Sequence, residues 1–166
     1  LLWSRGEELV HDQFPEVRDA LAALPDGTVL DGEVLAWKEG HALPFADLQR
    51  RLGRKRVSKK LLADVPLRFV AFDVLELEGV NVRSRPLADR RRKLERLLAD
   101  AKSETLGVSQ LVVADGWAAL AEERNGSRDR RVEGVMLKRA DSPYGVGRPM
   151  GWGGSGRSIR IPATPC

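Results

Sequence analysis

"PLRFVAFDVLEL" (residues 66–77) is crowded with Leu, Val, Phe and Ala, and one carboxylate, Asp73, interrupts its interior beside Phe72. Apolar, β-branched and aromatic residues without helix-spaced polar positions predict a buried strand. "TVLDGEVLAW" (28–37) has the same character. "LVVAD" (111–115) and "RVEGVMLKR" (131–139) predict two further strands. Helical patterns lie between them. Residues 14–24 set Val17, Leu21 and Leu24 on one stripe, and Pro25-Asp26-Gly27 closes that helix with a turn. Residues 45–52 and 58–63 predict two short helices around the basic text "GRKRVSKK". Residues 86–99 predict the clearest helix, with Leu87, Leu94, Leu97 and Leu98 on its apolar side and Pro86 at its start. Residues 117–124 predict another. Strands and helices interleave without a regular βαβ rhythm, so the expected fold is α+β with mainly antiparallel sheets and flanking helices.

Composition agrees with an ordinary folded domain. The chain has 166 residues, 42% hydrophobic and 31% charged, enough length for a real core. No apolar run approaches the roughly 18 residues of a membrane span. One Cys and no signal-peptide pattern make a reducing cytoplasm the expected setting. The net charge of +4, from 28 Lys+Arg against 24 Asp+Glu, favours an anionic partner such as nucleic acid or nucleotide.

Three stretches carry charges where a purely structural strand would not. In "LDGEVLAW", simple alternation sets Glu33 on the face of Val29, Asp31, Leu35 and Trp37. A carboxylate in such a run is costly unless paired, bonded to a ligand hydroxyl or holding a metal. In "EGVMLKR", Glu133 opens and Lys138 closes an apolar run, and in "FVAFDVLEL" Phe72 precedes Asp73. Taken singly, each also reads as ordinary structure: Glu33 as a solvated strand-end acid, Phe72 as a core aromatic, Glu133 and Lys138 as an exposed edge.

Together, in this order, these stretches resemble the nucleotidyltransferase (adenylation) domain of ATP-dependent DNA ligases, and bacterial repair-type ligases in particular. The likeness runs over residues 1–150. "SRGEEL" resembles the family's Arg-bearing strand after the nucleophile, "LDGE" its third motif, "FVAFDVLELEG" the following aromatic motif, and "EGVMLKR" its fourth motif; "PLADRRRKLERLL" resembles the text between the last two. The resemblance implies an ATP-grasp-like α+β domain with antiparallel sheets around a nucleotide cleft. It also implies the family reaction, in which AMP is attached to a lysine, passed to a DNA 5′-phosphate and released as the nick is sealed, in repair or recombination.

ATP, Mg²⁺ and nicked double-stranded DNA are the cofactors and partner so implied, with a monomer expected. Phosphoryl chemistry of this kind rests on positioning and charge stabilisation. Phe72 is the expected platform for adenine and Glu33 the acceptor for ribose hydroxyls. Glu133, with Glu33, is the expected Mg²⁺ ligand. Arg5 would hold phosphate or ribose oxygens through its forked donors, and Lys138 would place a charge near the phosphates. Glu133 and Lys138 are five residues apart, so they share a face only if a bulge at Gly134 intervenes.

The family nucleophile is the Lys of a Lys-x-Asp-Gly motif. The Asp-Gly pairs here, at Asp26, Asp31 and Asp115, follow Leu24, Val29 and Val113 at the Lys position. The motif is therefore expected upstream of Leu1, and this polypeptide alone is expected not to form lysyl-AMP. The tail "GWGGSGRSIRIPATPC" (151–166), with four Gly among its first six residues and no acid, does not match the text before it. Codons GGT GGA AGT GGA AGA TCG ATC CGG spell its Gly-Gly-Ser-Gly-Arg-Ser-Ile-Arg. Read from the third base they spell Trp-Lys-Trp-Lys-Ile-Asp-Pro, the type of the family's last motif. The tail is thus expected to be a frameshifted reading of that motif and disordered.

Two other readings remain open: a non-catalytic nucleic-acid-binding relic of the same fold, and an RNA ligase or capping-type nucleotidyltransferase. The basic stretch 50–60 is expected to be a solvated face, and under the relic reading it would carry the nucleic acid. His11 and His41 have no partners for a metal or a triad and read as surface residues.

Overall fold

The computed structural model describes residues 1–4, 6, 8–54, 56–127 and 134–145, and the backbone of Ile159–Pro162. Arg5, Glu133 and most of the tail lie outside the described residues.

Strand β1 (Val29–Lys38) and strand β3 (Leu67–Leu77) form an antiparallel pair at the centre. Short β2 (His41–Ala42) folds back on the end of β1, and β4 (Val80–Asn81) folds back on β3. β5 (Leu106–Val108) joins the other stretch of β3 in parallel, completing a five-stranded sheet. A second, two-stranded sheet pairs β6 (Gly134–Leu137) with β7 (Ile159–Pro162), so these four residues of the tail, expected to be disordered, form a strand. Helices α1 (Pro15–Ala22), α2 (Phe45–Gln49), α3 (Lys59–Asp64), α4 (Leu87–Ala101) and α5 (Gly116–Asn125) complete the chain. The fold is α+β and mainly antiparallel, as expected.

One face of β3 builds the core. Leu67, Phe69 and Ala71 alternate inward, and Ala36, Val17, Val65, Leu94 and Leu98 close over them. Helix α4 packs on β3 with Arg90, Leu94 and Leu98 buried, a stripe at four-residue spacing. Each buried Leu contributes about 1.5–3 kcal/mol. Pro86 fixes the helix entry, and Lys102 ends it in the left-handed region at φ 47.

Helix α4 has no side-chain cap. Its first free N–H groups are met from a distant loop instead: Leu87 donates to the carbonyl of Ser142 and Ala88 to that of Ala140, both at 2.9 Å. The loop after β6 is thereby tied to the sheet through α4.

The structure corrects two further expectations. Residues 111–115 form no strand; Leu111 is 68% and Val113 91% exposed. The parallel edge of β3 is taken earlier, by Leu106–Val108, and ends at Ala71↔Val108 with Ser109 N–H donating to the Ala71 carbonyl. No ladder is left for the apolar run that follows. Nor is the basic stretch 50–60 uniformly solvated. Arg51 is fully buried, forked onto both oxygens of Glu16 at 2.8 Å and donating to the carbonyls of Val65 and Gln13. It holds α1 against the α2–α3 connection.

Candidate nucleotide site

An irregularity in the central pair shapes the site. Asp31 faces Asp73 and Gly32 faces Ala71, so Phe72 is an extra residue on β3 with no partner on β1. The bulge re-aims the strand where the sequence changes from core text to charge. Gly32 permits the close passage on β1: a Cβ there would meet the Phe69 ring at 2.5 Å and the Val70 carbonyl oxygen at 2.7 Å.

Lys138, just past β6, extends its Nζ to 4.8 Å from the centroid of the half-buried Phe72 ring. Burial holds its pKa below the usual lysine value, and the nearby Asp73 and Asp31 carboxylates oppose that lowering while Arg90 and Arg91 add to it. Phe72 and Lys138, separated by the whole of α4 and α5, thus meet at one point.

Four further side chains, Arg90, Asp73, Tyr144 and Asp31, hold this arrangement. Arg90, on α4, forks onto Asp73 through Nε (2.7 Å) and Nη2 (2.9 Å), and both residues are 1% exposed. Its Nη1 donates to the carbonyls of Ser142 (3.1 Å) and Arg85, so one guanidinium ties strand, helix entry and loop. The Val74 N–H also donates to Asp73, at 2.9 Å. Tyr144, in the same loop, donates its hydroxyl to Asp31 at 2.7 Å, and its ring lies 5.9 Å from the Arg90 guanidinium. Burial, and then the bond to Asp31, raise the Tyr144 phenol to about 12. The Tyr144 N–H is held by the Arg83 carbonyl at 2.7 Å.

Glu33 stands one rung beyond the bulge, opposite Val70 and exposed. The burial cost that singled it out in the sequence is absent, because this face of β1 is open. No hydrogen bond or ion pair from another described residue occupies its carboxylate. Among the described residues no group of three His, Cys, Asp or Glu could hold a metal. A single open carboxylate still suits Mg²⁺, which keeps several waters and takes one or two carboxylates together with phosphate oxygens. Gly134 has φ 146, in the range that favours glycine, although its neighbour Glu133 lies outside the described residues, as does Arg5.

This geometry is accompanied by a match of residues 1–152 to the model of the ATP dependent DNA ligase domain family. The chain belongs to that family. This ligase domain is 34% identical over 168 residues to a probable DNA ligase of Koribacter versatilis, covering 89% of the chain and 29% of the relative. Among solved structures, the ligase domain of M. tuberculosis LigD superposes with a TM-score of 0.65 at 31% identity, over 95% of this chain and 46% of that one. A mycobacterial DNA ligase D complexed with ATP and MES gives a TM-score of 0.62 at 34% identity, over 88% of this chain and 43% of that one. The ligase domain therefore spans less than half of each of these proteins.

Sequence reasoning brought Phe72 and Lys138 forward and missed Arg90 and Tyr144 as residues of the site. A signal existed for each. Arg90 stands in phase with Leu94 and Leu98, a charge on an apolar stripe, and Tyr144 is the chain's single Tyr, set in a Pro/Gly loop.

Proposed function

We propose that this domain binds ATP over Phe72 as the adenylation half of a DNA ligase that seals nicks in double-stranded DNA. The observation that carries the reading is the meeting of an aromatic ring and a cation at the β3 bulge, with Lys138 Nζ 4.8 Å from the Phe72 centroid. A purine needs an apolar face, and the neighbouring triphosphate needs positive charge. Phe72 supplies the face and Lys138 the charge. Glu33, open and without a donor partner among the described residues, accepts from the ribose hydroxyls.

Mg²⁺ would be held by Glu33 together with Glu133, and would neutralise phosphate charge as it develops. Arg5 is assigned to the phosphate or ribose oxygens. Lys138 is poised by its surroundings: the ammonium is partly desolvated, so its field at a phosphate is less screened than that of a surface lysine. The Asp31 and Asp73 carboxylates beside it are engaged by Tyr144 and Arg90, which leaves the ammonium available to a ligand.

Titration calorimetry of ATP into the chain, with and without Mg²⁺, tests the reading. Saturable binding that weakens in Phe72→Ala and in Lys138→Ala supports it. Binding indifferent to both substitutions contradicts it. For the whole protein, sealing of a nicked DNA duplex in preference to a nicked RNA duplex is the expected activity.

A further inference from the structure

The outer face of α4 carries a cleft of about 260 Å³ lined by Arg85, Asp89, Arg92, Lys93 and Arg96. None of these residues takes part in the Phe72–Lys138 site through its side chain. The face exists because α4 is amphipathic. Arg90, Leu94 and Leu98 point inward, which leaves positions 89, 92, 93 and 96 on the opposite side.

Charge pairing in this cleft is incomplete, as it also is at Arg54, Lys59 and Lys60 among the described residues. Elsewhere, Arg18, Arg50, Arg51, Arg90, Arg91 and Arg139 each meet a carboxylate. In the cleft the one acid, Asp89, is taken by Arg92. The side chains of Arg85, Lys93 and Arg96 have no carboxylate partner among the described residues. A concave surface that gathers cations without neutralising them repels itself and is relieved by a polyanion.

We propose that this cleft binds the phosphate backbone of duplex DNA. The proposal rests on the ligase reading for its choice of polyanion, and its location rests on the cleft itself. Arg92, Lys93 and Arg96 follow one another along α4 and Arg85 stands just before it, a row that suits an extended partner. At about 1.5 Å per residue, positions 89 to 96 span about 10 Å, the axial length of about three phosphates of one strand. Such contacts position a duplex without reading its sequence. Because the Arg85 carbonyl also accepts from Arg90, the cleft is anchored to the guanidinium that holds the Lys138 loop.

The test is fluorescence anisotropy of a dye-labelled nicked duplex over a series of salt concentrations. The full chain is compared with a Lys93→Ala/Arg96→Ala variant and with Lys59→Ala/Lys60→Ala in the other basic stretch. Each phosphate contact contributes about 0.9 to the slope of log affinity against log salt. The proposal expects the slope to fall by about 2 in the first variant and to stay near the parent value in the second. The single variants Lys93→Ala and Arg96→Ala should each lower it by about 1. An unchanged slope, a loss confined to Lys59/Lys60, or no duplex binding by the parent chain overturns it. So does a preference for single-stranded RNA that the cleft substitutions abolish. ATP affinity is read in parallel, so failure of the cleft and failure of the nucleotide site are told apart.

Discussion

Arg90 and Asp73 face each other across the α4–β3 interface, both 1% exposed, with two parallel N–H···O bonds of 2.7 and 2.9 Å. Removing the cation alone would leave a buried carboxylate with only the Val74 N–H. Arg90→Met should therefore cost about 3–5 kcal/mol in urea unfolding. Adding Asp73→Asn to that variant should recover part of the loss, because the uncompensated charge is gone. Equal losses in the single and double variants would place the cost in packing and not in charge.

Tyr144 offers a direct optical test of the loop's position. It is the only Tyr in the chain, so ultraviolet titration reports one phenol. The folded chain should ionise at about 12, and the urea-unfolded chain near 10.0. Since the folded value is the higher one, the stability this phenol contributes is fully present below the unfolded pKa and is lost as pH rises through the folded one. Asp31→Asn should bring the folded titration down. Ionisation near 10.0 in the folded chain would mean the loop is not docked on Asp31.

Lys138 gives the opposite sign. Its folded pKa is lowered, so between that value and 10.5 the unfolded chain binds more protons and stability rises with pH. Urea melts across alkaline pH should show this rise, and Lys138→Met should remove it. ATP affinity should move the other way, falling as the ammonium deprotonates. Lys138→Arg, which stays charged throughout, should flatten that fall.

The core prediction is local. Leu94 is fully buried between α4 and β3, and Leu94→Ala should cost about 2–5 kcal/mol in chemical denaturation. A cost below about 1 kcal/mol would show that α4 is not held on the sheet by this stripe.

Much of this was legible in the sequence wherever one residue type serves one strand or helix. The β1 and β3 runs and the α4 stripe announce themselves by periodicity, and Phe72 and Lys138 each stand in a motif, though nothing in the sequence pairs them. What escaped depends on partners distant in the chain. The run 111–113 is as apolar as a strand, but β5 already holds the edge it would need. Arg51 lies in basic text that looks solvated, yet Glu16 and two carbonyls bury it. Tyr144 and Asp31, 113 residues apart, are joined only once α4 has drawn the loop onto the sheet.

The central claim is that the Phe72 bulge is a purine platform. Titrating ATP into the chain and into Phe72→Ala tests it most directly. Stacking of a base on an aromatic ring is worth about 1–3 kcal/mol, so the substitution should weaken ATP by about 5- to 150-fold. Equal affinity for ATP in the two proteins would contradict the account.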